Sequence, residues 1–233
     1  LPLICPVCKS SIKFVKKDII CSSKLCLHSK LENKFLSISS TPILISEQMC
    51  DTVCETGKIS SYVKRNSRKL DVFKKILFGE SEVTKKNCKL FTDLVKNLRK
   101  NPKVLVVGSG EKGSGTNSLW NDNSIKIHGV DIYKTDNVDV VCDSHYLPLK
   151  SNYYDGVWIQ AVLEHVVQPD VVVEEIFRVL KYGGIVYAET PFMQQVHEGA
   201  YDFTRFTVLG HRYLFKKFEL IKIGGNKGSE IVL

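Results

Sequence analysis

Four thiols fall into two close pairs near the start of the chain. Cys5 and Cys8 flank Pro6-Val7, and after 12 further residues Cys21 and Cys26 enclose Ser22 to Leu25. Two turns that each present a pair of thiolates can close a tetrahedron around Zn²⁺. Four protein ligands leave no open position for water, so such a site is structural, and it supplies folding energy that a small module cannot obtain from apolar burial. The wider second pair leaves His28 as an alternative ligand to Cys26, and a reduced, metal-free cluster as an alternative to the metal site. Cys50 and Cys54 have a similar spacing but no second pair beside them and read as ordinary thiols. Cys88 and Cys142 stand alone and read as small core residues.

A second constellation follows the apolar run Lys103 to Val107. Gly108-Ser109-Gly110-Glu111-Lys112-Gly113-Ser114-Gly115 is a glycine-rich turn before a helix, where the backbone can bend sharply and approach a ligand closely. Asp131 ends the next β-type run, Ile127 to Asp131, about twenty residues on, where a carboxylate can take both hydroxyls of a ribose. Nicotinamide dehydrogenases share both features. A third group lies in Glu189 to Thr207: His197 titrates near neutrality and is the candidate base, while Asp202 and Arg205, three apart, can pair with each other, orient a polar acceptor or merely brace a loop.

These residues need elements to hold them. Runs at 125–130, 138–141, 155–160 and 184–189 read as further buried strands, and Pro169 to Leu180 as a helix with Pro and Asp in its opening turn and Val172, Ile176, Val179 and Leu180 on one face. Two more helices are expected between Ser60 and Lys100, one carrying Val72, Ile76 and Leu77, the other Leu90, Leu94, Val95 and Leu98. Strands alternating with helices imply α/β architecture, a doubly wound, mostly parallel sheet of Rossmann-like form, here preceded by a small zinc-ribbon β module. The expected division is a ribbon over 1–48, a helical linker over 49–100 and the α/β domain over 101–233, with only the first half of a closing hairpin, Phe218 to Ile223, visible before the chain stops.

The ribbon residues, together with Ser37 to Ile45, resemble the short zinc-binding domain of the Trm112-like family, which often precedes or partners a methyltransferase. Cys142-Asp143-Ser144-His145-Tyr146-Leu147-Pro148-Leu149, Asp155-Gly156-Val157-Trp158 with Val162-Leu163-Glu164-His165-Val166, and Arg178-Val179-Leu180-Lys181-Tyr182-Gly183-Gly184 are similar to motifs of class I methyltransferases of the type 11 group. The resemblance spans about residues 103 to 224 and implies S-adenosylmethionine as cofactor. By the same resemblance Gly108, Ser109 and Gly110 line its methionine and ribose parts, Asp131 holds the ribose with Ile132 beside it, Asp143 accepts from the adenine amino group, Ser144 adds a backbone contact, and Gln160 sits at the cleft. One departure is Val106, which stands where the family has an acidic residue, so the cofactor's amino group loses a usual partner.

A formal charge of +8 fits an RNA partner or a solvated Lys-rich surface, and the lysines are spread rather than clustered. No apolar run approaches the roughly 20 residues of a membrane span, no leader pattern opens the chain, and the thiols suit a reducing compartment, so the chain reads as cytoplasmic. The expected reaction is methyl transfer to oxygen or nitrogen of a small-molecule or glycan acceptor. An RNA base methyltransferase is the second reading, since ribbons can grip nucleic acid, although Lys13, Lys16, Lys17, Lys24 and Lys30 come without the arginines and aromatics that stack on bases. A non-catalytic binding or scaffold protein is the third, and the ribbon could also dock a protein partner.

Overall fold

The computed structural model describes residues 1–16, 18–46, 81–196 and 201–225. The first expected linker helix, Cys50, Cys54, His197 and the last apolar residues lie outside them.

Lys103–Val107 (β5) is buried on both sides, as a central parallel strand must be. Counting from the N-terminus, the other strands are β1 (Ile12–Val15), β2 (Asp18–Cys21), β3 (Leu36–Ile38), β4 (Thr41–Ile43), β6 (Lys126–Asp131), β7 (Val140–Val141), β8 (Tyr154–Gln160) and β9 (Leu180–Glu189). The main sheet has seven strands in the order β3-β4-β7-β6-β5-β8-β9, all parallel except the β3/β4 hairpin. Strand order reverses between β5 and β8. In a doubly wound sheet that reversal opens a crevice at the strands' C-terminal ends.

Helices cover both faces. On one, α1 (Glu82–Leu98) is capped by Ser81, whose hydroxyl accepts from the Thr84 amide at 3.2 Å, and buries Cys88, Phe91 and Val95 at helical spacing. These pack on Val104, Val106 and Trp158. The approach is close: a Cβ on Gly156 would lie 2.7 Å from Val95 and 2.8 Å from Phe91, so only glycine lets this helix seat on β8. On the opposite face α3 (Pro169–Val179) buries Val172, Ile176 and Val179 against Leu105, Val107, Val157 and Ile159. Between β5 and β6 lies α2 (Asn117–Trp120), a single turn; Asn121-Asp122-Asn123 ends it, with Asp122 capping the turn through Ser124.

Three elements differ from their expected form. α3 runs directly into β9, which begins at Leu180, so Gly183 and Gly184 lie within the strand rather than closing the helix. β7 has only two residues. Among the described residues Phe218 to Ile223 forms no strand: after α4 (Val208–Leu214) the chain turns so that Phe218 packs edge-on against Phe177 and beside Phe215, and no described residue pairs with its backbone.

The ribbon is continuous with the sheet it precedes. Its own hairpin, β1/β2, is separate, but Ile43 of β4 pairs with Val141 of β7 and the Leu44 amide donates to the Val141 carbonyl at 2.8 Å. Cys5, Ile19, Cys21, Cys26, Phe35 and Leu44 belong to the same apolar cluster as Leu105 and Ile176. No described helix is long and apolar enough to cross a membrane.

Candidate active site and metal site

The four ribbon sulfurs converge. Each lies within 4.8 Å of the others, with Cys5 and Cys26 3.7 Å apart and Cys8 and Cys21 3.4 Å apart. Zn–S bonds near 2.3 Å in a tetrahedron separate sulfurs by about 3.8 Å, so the set fits Zn²⁺. His28 is not part of it. Its Nδ1 is bonded to the Asn33 carbonyl at 2.6 Å and its Nε2 to the Ser46 hydroxyl at 2.9 Å, and its ring stacks on Phe35. Both nitrogens are committed to holding the ribbon's last loop. Burial pushes the Cys5 thiol up and brings Cys21 to about 11, whereas hydrogen bonds from Ser10, Cys21 and Cys26 outweigh burial at Cys8 and pull it down to about 6. Metal binding at this set therefore displaces protons and weakens as pH falls.

At the strand-order reversal, Gly108 leaves β5 with φ +76°, and the amides of Gly108 and Ser109 donate to the Val130 carbonyl at 2.9 and 3.1 Å. A Cβ on Gly108 would meet Val162 at 2.2 Å. Gly108→Ala is therefore expected to cost about 2 to 4 kcal/mol from left-handed backbone and overlap combined, measured by denaturant unfolding, with part of the loss recovered by adding Val162→Ala.

Asp131 ends β6 beside that turn. Its Oδ2 accepts from the Gly110 amide at 2.8 Å and its Oδ1 from the Tyr133 amide at 3.1 Å, so the carboxylate ties the glycine turn to the end of β6. Asp143 follows β7 and caps the 3₁₀ turn Ser144–Tyr146. Its Oδ1 accepts from the His145 amide at 2.9 Å and from His145 Nδ1 at 2.6 Å; its Oδ2 is buried with no hydrogen-bond partner among the described residues. The Gln168 amide donates to His145 Nε2 at 3.2 Å, which assigns the ring proton to Nδ1 and points it at Asp143. A buried carboxylate oxygen without a donor is what an exocyclic amine would complete.

Gln160 ends β8. Its side-chain amide donates to the Ser114 carbonyl and to Glu189, both at 3.4 Å, and accepts from the Trp158 indole at 3.3 Å. Glu189 at the end of β9 also accepts from the Thr84 hydroxyl at 3.2 Å and the Tyr187 hydroxyl at 2.5 Å. Val106, Trp158 and Tyr187 are in register on adjacent strands, and Trp158 and Tyr187 stack at 3.9 Å. Val106 is only 4% exposed in this apolar row, a place where a carboxylate would be desolvated. The polar groups stand one pleat further on, at Gln160 and Glu189. Sequence reasoning missed Glu189, Tyr187, Thr84 and His145. Glu189 and His145 lie inside or beside quoted motifs; Thr84 comes from a helix about a hundred residues away and left no local signal.

Asp202 and Arg205 come together as a bidentate pair, with Nη2 to Oδ2 at 2.6 Å and a second contact between Nη1 and Oδ1. The Asp202 side chain is 1% exposed. The same segment covers Glu164: the Phe203 and Thr204 amides donate to the Glu164 carbonyl at 2.8 and 3.3 Å, and His165 Nδ1 is 2.6 Å from the Tyr201 carbonyl. Beneath this segment Glu164 is fully buried. Burial raises its carboxyl to about 7, with Arg205 opposing the shift.

The sign follows from linkage. Below pH 4.5 the folded and unfolded states both hold the proton; between 4.5 and 7 the unfolded chain loses it first, so stability falls as pH rises and stays lower above 7. Glu164→Gln is therefore expected to raise stability at pH 8 by about 3 kcal/mol more than at pH 4.5, read from denaturant unfolding at the two values.

A Rossmann-like sheet with a glycine turn, Asp131 and Asp143 around its strand-order reversal is an arrangement of the class I methyltransferase type. Residues 105–188 match the family described as "Methyltransferase domain". Over 175 residues it is 25% identical to the ubiquinone/menaquinone biosynthesis C-methyltransferase UbiE of Cupriavidus pinatubonensis, an alignment covering 68% of this chain and 71% of that protein. Among solved structures it is similar to a complex of the Haloferax volcanii Trm112 methyltransferase activator with a methyltransferase, at 22% identity and TM-score 0.42 over 59% of this chain and 73% of that one. It is also similar to Haemonchus contortus phosphoethanolamine N-methyltransferase 2, at 18% identity and TM-score 0.44 over 64% and 41%.

Proposed function

We propose that the chain moves the methyl group of S-adenosylmethionine to an oxygen or nitrogen of a polar acceptor, a saccharide or small metabolite. The observation that carries the cofactor reading is the buried, donor-less Oδ2 of Asp143 facing the need for an adenine amine. Asp131 and Ile132 flank the ribose, Gly108 to Gly110 run beside the methionine part, the Ser144 backbone borders the adenine, and Gln160 with Glu189 supplies polar groups on the side where Val106 supplies none. When bound, the cofactor provides an electrophilic methyl on a sulfonium; the protein's part is alignment and, for an acceptor that must lose a proton, a base.

His197 is assigned that base. The Asp202–Arg205 pair is assigned the orientation of the acceptor segment, which it anchors over Glu164. In the ribbon, Cys5, Cys8, Cys21 and Cys26 hold a structural Zn²⁺. We take the ribbon as residues 1–48, the linker as 49–100 and the methyltransferase domain as 101–233, working in the cytoplasm.

The polar character of the β8/β9 edge, Gln160, Glu189, Tyr187 and Thr84, favours a hydroxylated or amino acceptor. The test is release of S-adenosylhomocysteine with a panel of saccharides, amines and hydroxylated metabolites alongside total ribosomal RNA. Turnover with a member of the small-molecule panel, lost in His197→Ala, is expected; turnover with RNA alone would replace this reading by base methylation.

A further inference from the structure

The ribbon is an odd companion for a small-molecule site, and its contacts with the sheet show what it touches. Lys9 follows the second ligand of the first Cys pair and adopts φ +57°, a left-handed conformation uncommon for a residue with a side chain. Its amide donates to the Cys5 carbonyl at 3.0 Å, and the Cys5 amide donates to the Ser10 carbonyl at 2.8 Å, so the turn that brings Cys5 and Cys8 together also aims Lys9. The ammonium leaves the ribbon, donating to Glu175 of α3 at 2.9 Å and to the Leu147 carbonyl at 3.4 Å.

Leu147 is held twice. Arg178, one turn beyond Glu175, donates to the Leu147 carbonyl at 2.9 Å and the Leu149 carbonyl at 2.7 Å, and to both oxygens of Glu175. From the ribbon side the Ile4 amide donates to the Pro148 carbonyl at 2.9 Å, and Leu3 bridges Leu149. Residues 147–149 continue the 3₁₀ turn that Asp143 caps, so Asp143 is fixed by β7 before it and by this clamped segment after it.

We propose that Lys9 is a positioning residue for the cofactor site, transmitting the geometry of the tetracysteine turn to the segment that places Asp143. The proposal rests on the assignment of Asp143 to the adenine side. It makes metal loading in the ribbon and affinity for S-adenosylmethionine reciprocal, each strengthening the other.

The experiment is calorimetric titration with S-adenosylhomocysteine, with zinc stoichiometry measured on the same zinc-loaded samples, for the parent, Lys9→Met, Lys9→Arg and Glu175→Gln. Lys34→Met is the control, since Lys34 pairs with Asp18 within the ribbon. Lys9→Met is expected to keep the parent's zinc content, to bind roughly tenfold more weakly and to exchange amide hydrogens faster at 143–150, with Lys9→Arg recovering most of the affinity and Lys34→Met unchanged. Glu175→Gln, which leaves the ribbon untouched, shifts affinity in the same direction and decides the matter if Lys9→Met folds poorly. Parent-like affinity in Lys9→Met and Glu175→Gln overturns the proposal. A folded parent that binds nothing overturns the cofactor assignment itself, and this role with it.

Discussion

Asp131→Ala is expected to weaken S-adenosylmethionine binding by at least about a hundredfold, because a carboxylate that takes two hydroxyls loses two charge-assisted hydrogen bonds, each worth about 1.5–3 kcal/mol. The effect has a second source in this chain. Asp131 holds the Gly110 amide at 2.8 Å, so its removal also frees the glycine turn. Asp131→Asn separates the two: the amide keeps an oxygen for one backbone donor while losing charge and one acceptor, and is expected to bind more weakly than the parent but better than Asp131→Ala. Asp143→Ala is expected to cost about ten- to a hundredfold, one such bond, without loosening the turn. Calorimetry reads all three, and circular dichroism confirms that the sheet remains.

Loss of the ribbon metal is the second large effect. Structural zinc supplies about 10–16 kcal/mol of apparent binding energy in isolated zinc modules, far more than the β1/β2 hairpin and two 3₁₀ turns can replace. Here the consequence reaches the sheet, because β4 and Leu44 pair with β7 and Cys5, Cys21 and Cys26 share a core with Leu105 and Ile176. Chelation, or Cys26→Ser, is expected to lower the thermal midpoint by about 10 °C or more, the size expected when several kcal/mol are lost from a chain of this length. A ribbon that melted alone would give a separate transition and leave the main midpoint in place. Because zinc binds the deprotonated thiols, protons compete with it, and the same loss is expected as the pH of zinc-loaded protein is lowered.

Local pattern carried much of this structure. The apolar run of β5, the Pro-led opening turn and apolar stripe of α3, and Asp131 at the end of β6 are short-range features, and they are where the spacing put them. The paired cysteines were also readable, since ligand chemistry restricts their spacing more tightly than packing restricts a core. What escaped was long-range. The union of β4 with β7 joins residues about a hundred positions apart by one parallel pair, which no local periodicity encodes. Lys9 reads as one more surface lysine until Glu175 and Leu147 stand beside it. Phe218 to Ile223 is an apolar-rich run of the kind a strand uses, but such a run becomes a strand only beside a neighbouring ladder, and among the described residues Phe218 packs on Phe177 and Phe215 instead. His28, by spacing only an alternative to Cys26, is a bracket through its two hydrogen bonds, and the four cysteines form the set.

The most direct measurement is calorimetric titration of the zinc-loaded chain with S-adenosylmethionine. One saturating site with micromolar affinity, lost in Asp131→Ala and reduced in Asp143→Ala, is the predicted result; a folded, zinc-loaded chain that gives no binding heat and no shift of its thermal midpoint with the cofactor would contradict the account.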